Sequence, residues 1–506
     1  MASSRRFYIR TYGCQMNVLD SQKVAALLCA SGYGAAAEPE DADLLIVNTC
    51  SIRDKAEQRL YGDLGRLRAW KADRPGRVIG VAGCVAQQEG DAILRRFAAV
   101  DFVYGTHNLR LVPVLVAAAE RGERGLCTDE NRSLARFDLP QHHPDLPSAT
   151  PGRAFVTVME GCDMFCTFCV VPRTRGREIS RPAAAIADEV RELAAVGVRE
   201  ITLLGQTVNA YGRQDLRRGK AAAAGTESFA ALLHRLAREP GIERIRYTSP
   251  HPSFFDGDLV TAHRELANLC PHVHLPAQSG SDAVLARMRR PYSAAAYRTL
   301  CDRLRTARPD VALTTDLIVG FPGETDADFR ATLALVAEVG FVDAYTFKYS
   351  PRPGTPAADY ADPVEPAVAQ ARLEELQDLQ RSVTLAAHRA RVGGETEVLV
   401  EGASRKFRAA SRRRAQAIEP GAGQASGRDP YHRVVNLAAE AEWQAGDLVR
   451  VRVVEATPHS LIGEPLGAPR RFIAPNPVKN PASHADEGEC PGAGFSLSTI
   501  SATSAS

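Results

Sequence analysis

The chain has 506 residues, of which 45% are hydrophobic and 24% are charged, and its formal net charge at pH 7 is +2. This length suffices for about three domains, and the composition is typical of globular proteins; the near-neutral charge excludes a uniformly basic nucleic-acid-binding surface. Since the sequence contains neither a run of roughly twenty apolar residues nor the apolar core of a signal peptide, we expect a cytoplasmic protein without membrane spans.

The first block, residues 5–123, alternates short apolar strands with helical segments. Strands are predicted at 7–12, 44–48 and 78–82, and helices at 21–30 and 54–71. This alternation is typical of a small, doubly wound α/β domain. The polar, proline-containing segment 124–152 that follows is predicted to be a linker.

The second block, residues 153–388, repeats the strand–helix alternation about six times. Strands are predicted at 154–159, 200–204, 244–248, 272–275, 313–319 and 344–349. Six units favour an open, partial (β/α)6 barrel over a closed eight-stranded one. The charged, alanine-rich segment 213–228 interrupts the pattern and is predicted to be a surface insertion.

The third block, residues 389–466, changes to β-type sequence and predicts a small β-barrel, which completes an α/β protein of three domains. Its strands are predicted at 396–400, 434–437 and 448–454. Basic residues gather at 405–408 and 412–414, and they form either an RNA-binding surface or a solvated face. The remaining residues, 467–506, are rich in Pro, Ser, Ala and Gly and are predicted to be a disordered tail.

The strongest chemical signal is the spacing C-x3-C-x2-C of Cys162, Cys166 and Cys169, the barrel triplet, directly after the first predicted barrel strand. In a reducing cytosol, cysteines at motif spacing more often bind metal or do chemistry than form disulfides. Three thiolates can hold three irons of a cubane iron–sulfur cluster, and the fourth iron is then open to an external ligand. The alternative is a structural zinc site, which needs four ligands, whereas no further Cys or His lies close in the sequence.

Three other cysteines, Cys14, Cys50 and Cys84, are far apart in the sequence but share one local setting; we call them the N-terminal triplet. Each begins the loop that follows a predicted strand. Because the carboxyl ends of parallel strands meet at one edge of a sheet, we expect these thiolates to converge and hold a second cluster. The alternative is that each is a buried structural cysteine. The remaining cysteines lack this setting and are assigned no role: Cys29, Cys127, Cys270, Cys301 and Cys490.

The barrel triplet, with Phe168 before its last cysteine, resembles the motif of the radical S-adenosylmethionine superfamily. From about residue 7 to 466 the chain also resembles the methylthiotransferase family of that superfamily. The matching segments are YGCQMN at 12–17, NTC at 48–50, GC at 83–84, VVPRTRGR at 170–177, LLGQTVNAYG at 203–212, HLPAQSGS at 274–281, GFPGET at 320–325 and YSPRPGT at 349–355. The third block resembles the TRAM domain of that family, a β-barrel that binds RNA.

The resemblance implies an enzyme that uses two S-adenosylmethionine molecules and two [4Fe-4S] clusters, with all six triplet cysteines catalytic. One molecule donates a methyl group to a sulfur at the N-terminal triplet. The other is cleaved at the barrel triplet to a 5′-deoxyadenosyl radical, which abstracts the hydrogen at C2 of an adenine. Gln15, Met16 and Asn17 are similar to members that act on N6-(dimethylallyl)adenosine next to the anticodon of tRNA.

The resemblance also implies binding residues and partners. Side chains expected to bind S-adenosylmethionine are Phe168, Gln206, Asn209, Gln278 and Ser279, and the alternative role of the four polar ones is to cap loops. Arg175, Arg177 and the arginines of the third block are candidate phosphate contacts. Expected partners are tRNA, an electron donor such as flavodoxin or ferredoxin, and a sulfur donor of unidentified kind, and we expect a monomer.

Three features depart from the usual family pattern. Arg173 stands where tyrosine is common, Thr207 stands where asparagine is common, and segment 213–228 is an unusual insertion. These departures concern contacts to the substrate and leave both triplets intact. Alternative targets are threonylcarbamoyl-adenosine in tRNA and an aspartate of a ribosomal protein; an alternative of another class is a non-catalytic RNA-binding iron–sulfur protein.

Overall fold

The first domain contains a parallel sheet of six strands in a computed structural model that describes residues 5–51, 54–140, 146, 151–404, 424–437 and 443–471. The strands are β1 (Arg6–Thr11), β2 (Gly34–Ala35), β3 (Leu44–Thr49), β4 (Val78–Gly83), β5 (Phe102–Tyr104) and β6 (Gly125–Cys127). Their order across the sheet is β2-β1-β3-β4-β5-β6. Every residue of β3 and β4 is buried, as expected for central strands that are covered on both faces.

Helices cover both faces of this sheet, which confirms the doubly wound α/β prediction. They are α1 (Gln15–Ala30), α2 (Asp54–Asp73), α3 (Cys84–Arg96) and α4 (Val112–Glu120), with 3-10 turns at Pro39–Asp41, Leu109–Leu111 and Leu134–Phe137. One apolar cluster joins α1 and α4 to one face, and another joins α2 and α3 to the opposite face. Helix α1 begins earlier than predicted because Cys14, in an extended conformation, forms its N-cap. Strand β6 lies in the range expected for the linker.

The second domain contains an open row of parallel strands, which confirms the partial (β/α)6 prediction. Its strands are β7 (Arg153–Thr157), β8 (Met159–Glu160), β9 (Ile179–Ser180), β10 (Glu200–Leu204), β11 (Arg244–Tyr247), β12 (His272–His274), β13 (Ala312–Val319) and β14 (Asp343–Lys348). Two parallel sheets, β11-β10-β7 and β12-β13-β14, are linked by a parallel bridge between Ile245 and Leu269. The short antiparallel pair β8–β9 flanks the loop of the barrel triplet.

Helices pack on the outside of this row. They are α5 (Val171–Thr174), α6 (Ala183–Ala195), α7 (Arg213–Arg217), α8 (Ala221–Ala224), α9 (Phe229–Leu236), α10 (Gly257–Glu265), α11 (Asp282–Arg287), α12 (Ala294–Ala307), α13 (Asp326–Val339) and α14 (Pro366–Arg389), with 3-10 turns at Val208–Ala210, Pro252–Phe254 and Pro356–Asp359. A single apolar cluster joins the strands to most of the longer helices, with Ile201, Ile245 and Leu304 among its fully buried members. Within the described residues, no helix is both long enough and apolar enough to cross a bilayer.

The third domain is a closed five-stranded barrel, as predicted, with the order β15-β16-β17-β19-β18. Its strands are β15 (Glu395–Ala403), β16 (Ala425–Arg428), β17 (Val434–Leu437), β18 (Leu448–Ala456) and β19 (Leu461–Pro465). It docks on the amino ends of the second domain's strands: Arg244, the first residue of β11, donates to the carbonyl of Glu397 at 2.8 Å. The ring of His272, the first residue of β12, stacks on His432 with centroids 5.0 Å apart. The cysteine loops lie at the opposite, carboxyl ends of the strands.

Candidate active site

The structure brings the N-terminal triplet together at the carboxyl edge of the first sheet. Cys14, Cys50 and Cys84 follow β1, β3 and β4, which are neighbours in that sheet. The Cys50 thiol forms hydrogen bonds with both other cysteines, and these bonds raise the pKa of Cys50. The hydrogen bond from Cys50 lowers the pKa of Cys14 to about 6 and that of Cys84 to about 7. The edge therefore favours thiolates at two of the three positions.

Two glycines allow these loops to approach one another. Gly13 and Gly83 precede Cys14 and Cys84, and both have positive φ, +127° and +92°. A Cβ on Gly13 would overlap the side chain of Cys50, and a Cβ on Gly83 would overlap the carbonyl of Thr49. A side chain at either position would push these loops apart, so the glycines before Cys14 and Cys84 have a physical cause.

Two asparagines of the same motifs fix the loops. The Asn17 amide donates to the side-chain oxygen of Asn48 at 3.0 Å, and the Asn48 amide donates to the carbonyl of Asn17 at 2.9 Å. The Cys14 thiol donates to Asn17 at 3.3 Å. Both asparagines are almost fully buried. In the sequence, Asn17 and Asn48 stood out only as parts of family motifs. In the structure, they position the loops of Cys14 and Cys50.

The barrel triplet lies in the loop between β8 and β9. Its sulfur atoms have polar neighbours: Cys162 forms a hydrogen bond with the Thr207 hydroxyl at 3.1 Å, and Arg290 donates to Cys166 at 3.5 Å. Burial raises the pKa of Cys169 to about 12, with further contributions from the neighbouring Cys166 and Cys162 thiols. The Arg290 guanidinium supplies positive charge beside the Cys166 sulfur, and such a charge stabilises a thiolate.

The donor chemistry of both triplets fits iron–sulfur clusters. Each supplies three thiols that are wholly or partly buried, and each has an arginine beside it. Cysteine thiolates are the usual ligands of such clusters. Among the described residues, no group of three or more His, Cys, Asp or Glu side chains is arranged around a position for one metal ion.

The five residues expected to bind S-adenosylmethionine lie at the carboxyl ends of the barrel strands, and each of them contacts other protein groups. Gln206 accepts from the backbone N–H of Gly161 at 2.5 Å. Asn209 and the backbone of His251 exchange two hydrogen bonds. The Ser279 hydroxyl pairs with Thr332, the Phe168 ring packs edge-on against Phe321, and Gln278 is buried with φ of +71°. Loop capping is thus observed for Gln206 and Asn209, and cofactor binding stays a prediction for all five.

The expectation that Arg175 contacts phosphate is wrong. Its side chain is only 2% exposed and forms an ion pair with Asp20 of the first domain at 2.6 Å. Its charge also helps to lower the pKa values of Cys14 and Cys84, so it lies beside the N-terminal triplet. An arginine in an RGR sequence resembles a surface cation, and only the packing of the two domains reveals that it is buried.

Further buried contacts join the first two domains around Arg175. Thr106 donates to the carbonyl of Thr174 at 2.6 Å, and His107 forms a hydrogen bond with the carbonyl of Arg175 at 2.9 Å. Glu160 lies 2.9 Å from Arg136 and 3.8 Å from Arg175. Met16 and Leu19 of α1 pack against Leu204 of β10, and Cys14 contacts this cluster. The N-terminal triplet therefore faces the carboxyl ends of the barrel strands.

The remaining candidate phosphate contacts fare differently. The Arg177 side chain is 52% exposed, pairs with Asp163 and lies over the Phe165 ring at 5.0 Å. In the third domain, Arg428 pairs with Glu401 and Arg450 with Glu395. The basic clusters at 405–408 and 412–414 lie outside the described residues.

Two of the departures from the family pattern, at Thr207 and Arg173, contact other residues of the protein. Thr207 forms its hydrogen bond with Cys162, and the Arg173 guanidinium packs against Gly354. Cys29, Cys270 and Cys301 are buried and Cys127 is partly buried, whereas Cys490 lies outside the described residues.

Comparison with known proteins identifies the family. Residues 6–105 match the uncharacterized protein family UPF0004, and residues 156–336 match the radical SAM superfamily. A protein of Geobacter metallireducens named tRNA-2-methylthio-N(6)-dimethylallyladenosine synthase is 46% identical over 92% of this chain and 99% of its own length. The protein of that name from Cereibacter sphaeroides is 47% identical over 92% of this chain and 100% of its own length. The chain belongs to the radical S-adenosylmethionine methylthiotransferase family.

Solved structures agree on the fold of this methylthiotransferase. The radical S-adenosylmethionine methyltransferase TsrM from Kitasatospora setae, solved with cobalamin and a [4Fe-4S] cluster bound, has a TM-score of 0.53 and 14% identity over 70% of this chain and 74% of that one. At this identity the likeness concerns the fold alone. Membership of the family means that the protein uses a [4Fe-4S] cluster and S-adenosylmethionine.

Proposed function

We propose that this methylthiotransferase adds a methylthio group at C2 of N6-(dimethylallyl)adenosine in tRNA, at the nucleotide after the anticodon. The observation that carries the proposal is that the two cysteine triplets, on separate domains, face one buried junction that Arg175 spans. Relatives that match nearly the whole chain bear the name of this activity. The C2–H bond has no useful acidity, so a general base would not start the reaction, whereas a radical does.

In this proposal the barrel triplet holds the [4Fe-4S] cluster, and the N-terminal triplet holds a second one. With S-adenosylmethionine bound, a cluster held by Cys162, Cys166 and Cys169 would supply the one electron that cleaves the sulfonium to methionine and a 5′-deoxyadenosyl radical. The work is divided between residues 5–123, which carry the methylthio group, and residues 153–388, which generate the radical. Residues 389–466 bind the RNA.

The chain's own residues bind, orient and shield the reacting groups. Thr207 and Arg290 place a hydroxyl and a positive charge beside the sulfurs of Cys162 and Cys166, where they stabilise thiolates. Gln206 fixes the start of the loop through the N–H of Gly161. The contact of Met16 and Leu19 with Leu204 keeps water from this side of the junction, which protects a radical from side reactions.

The remaining parts of the proposal concern partners. The adenosine lies in a loop of tRNA, so moving it into the junction requires little unstacking. We infer that an external protein such as flavodoxin or ferredoxin supplies electrons. We also infer that the enzyme acts as a monomer in the cytoplasm, where its tRNA substrate is found.

Mass spectrometry of tRNA nucleosides tests the proposed function. A strain that lacks the gene should accumulate N6-(dimethylallyl)adenosine and lose its 2-methylthio derivative, and the wild-type gene should restore the derivative. The target would be a different one if the strain kept 2-methylthio-N6-(dimethylallyl)adenosine but lost methylthiolated threonylcarbamoyl-adenosine or the modified ribosomal aspartate.

A second measurement separates the enzyme from a non-catalytic RNA-binding iron–sulfur protein. Anaerobically reconstituted protein, given dithionite and S-adenosylmethionine, should form 5′-deoxyadenosine. The variant Cys166→Ala is the matched control, since it removes one ligand of the barrel triplet and should form none. Equal, background-level formation by both proteins would contradict radical chemistry.

A further inference from the structure

The insertion 213–228 carries three exposed cations on its outer surface: Arg217, Arg218 and Lys220. None of them has an acidic partner among the residues that the structure describes. Exposed arginines elsewhere on the protein often do have one: Arg121 pairs with Glu123, and Arg191 pairs with Asp188. We call Arg217, Arg218 and Lys220 the cationic knuckle, since α7 and the turn that follows it present them together.

The knuckle is held in place by its neighbours. At the start of α7, the Arg213 guanidinium lies 4.6 Å from the centre of the Phe254 ring, and the N–H of Gly212 donates to the Ser180 hydroxyl at 2.9 Å. After α7, the N–H of Lys220 donates to the carbonyl of Asp215 at 2.8 Å. The Asp215 carboxylate accepts from Thr226 at 3.0 Å, which ties the two ends of the insertion together. A segment whose backbone is fixed in this way loses less conformational freedom on binding than a mobile loop does.

The insertion also contacts the loop of the barrel triplet. The Gln214 amide donates to Asp163, the residue after Cys162, and the same carboxylate pairs with Arg177. Next to this carboxylate, the Phe165 ring is 45% exposed under the Arg177 guanidinium, and Phe165 has φ of +48°. The knuckle thus lies beside the face of the barrel that the substrate must reach. An exposed ring and guanidinium there suit the stacking of an unpaired base.

We propose that the cationic knuckle binds the phosphate backbone of the tRNA substrate beside the active site, while the Phe165–Arg177 pair stacks an unpaired base of the same RNA. This inference rests on the proposed function, because it takes tRNA as the substrate. The contacts of the knuckle are electrostatic and independent of base sequence, so they add affinity and orient the loop without selecting a nucleotide. An acidic electron-donor protein would also meet positive charge here, but it would have no use for an exposed stacking surface.

The test compares two triple variants of the full-length, reconstituted enzyme. R217A/R218A/K220A removes the knuckle, and R121A/R191A/R298A removes the same charge from arginines that are paired with acids. Binding of the tRNA is measured by fluorescence anisotropy over a range of salt concentrations. Cleavage of S-adenosylmethionine without RNA reports that the fold and the clusters are intact, and it should be unchanged in both variants.

Loss of three phosphate contacts should reduce the slope of log affinity against log salt by about 2 and weaken binding roughly tenfold near physiological salt. The control variant should keep the wild-type slope. Equal slopes in both variants would overturn the inference. So would unchanged tRNA binding with turnover that falls only when flavodoxin replaces dithionite, because the surface would then serve the electron donor. Failure of the wild-type enzyme to methylthiolate any tRNA would instead contradict the proposed function.

Discussion

Arg175 of the second domain and Asp20 of the first form an ion pair of 2.6 Å in which the side chains are 2% and 9% exposed. Arg175 follows the barrel triplet closely in sequence, yet its charge lowers the pKa values of Cys14 and Cys84 in the other domain. One buried guanidinium therefore connects the loop of the barrel triplet with the edge of the sheet that carries the N-terminal triplet.

Replacing Asp20 with Asn should destabilise the protein, because among the described residues it leaves the buried Arg175 with Glu160, at 3.8 Å, as its remaining ion-pair partner. Breaking a buried pair costs roughly 3–5 kcal/mol, and the remaining acid favours the lower end of that range. Urea unfolding measures the loss. Glu338→Gln breaks the exposed pair with Arg298 and should cost less than about 1 kcal/mol. Equal costs for the two variants would show that the junction does not depend on the pair.

Variants of the two triplets should also differ from each other in their reaction products, and loss of either triplet should lower the iron content. Cys50→Ala should remove about half of the iron, since one of two thiolate-held clusters is lost, and should stop methylthiolation while 5′-deoxyadenosine still forms. Cys162→Ala should abolish 5′-deoxyadenosine. Cys301→Ala, a buried cysteine outside both triplets, serves as the control and should keep the wild-type iron content. Wild-type iron content in Cys50→Ala would contradict the two-cluster proposal.

The sequence predicted the positions of the six cysteines better than it predicted the surroundings of those cysteines. The convergence of Cys14, Cys50 and Cys84 follows from the strand order, because each cysteine follows the carboxyl end of one of three neighbouring parallel strands. The burial of Arg175 does not follow, since it depends on how two domains pack. Strands β16 and β19 escaped prediction because they are short and carry Gly, Ser and Pro in place of an alternating apolar pattern.

Thr207 was expected from the sequence to affect substrate contacts, whereas in the structure its hydroxyl contacts Cys162. Its hydroxyl lies 3.1 Å from the Cys162 sulfur, so Thr207→Val should remove a hydrogen bond to a thiolate ligand. Such a bond stabilises the more negative, reduced cluster, and about 1 kcal/mol corresponds to roughly 40 mV for one electron. The midpoint potential should therefore fall by about that amount in a redox titration followed by electron paramagnetic resonance. Thr306→Val, on an exposed helix face, should leave it unchanged, and a Thr207→Val potential equal to wild type would place the hydroxyl elsewhere in the loaded enzyme.

Glu178, which lies near the insertion, should make the stability of the protein depend on pH. Burial, with the charges of Asp163 and Asp215, raises the pKa of Glu178 from 4.5 to about 8, and its Oε1 has no hydrogen-bond partner within the described residues. Between these pH values the folded protein holds a proton that the unfolded chain has released, so stability falls as pH rises through this window. Glu178→Gln stays neutral and should become progressively more stable than wild type from about pH 5 to 8.

Asp63→Asn is the matched control for this pH series. Burial acts to raise the pKa of Asp63, but hydrogen bonds from Tyr12 and Arg10 keep this pKa below its usual value. Asp63 is therefore ionised in both the folded and the unfolded protein above about pH 5, and the difference between wild type and Asp63→Asn should be constant up to pH 8. Urea unfolding at several pH values measures both differences. A constant difference for Glu178→Gln as well would mean that Glu178 is already ionised in the folded protein, with Arg213 or solvent stabilising its charge.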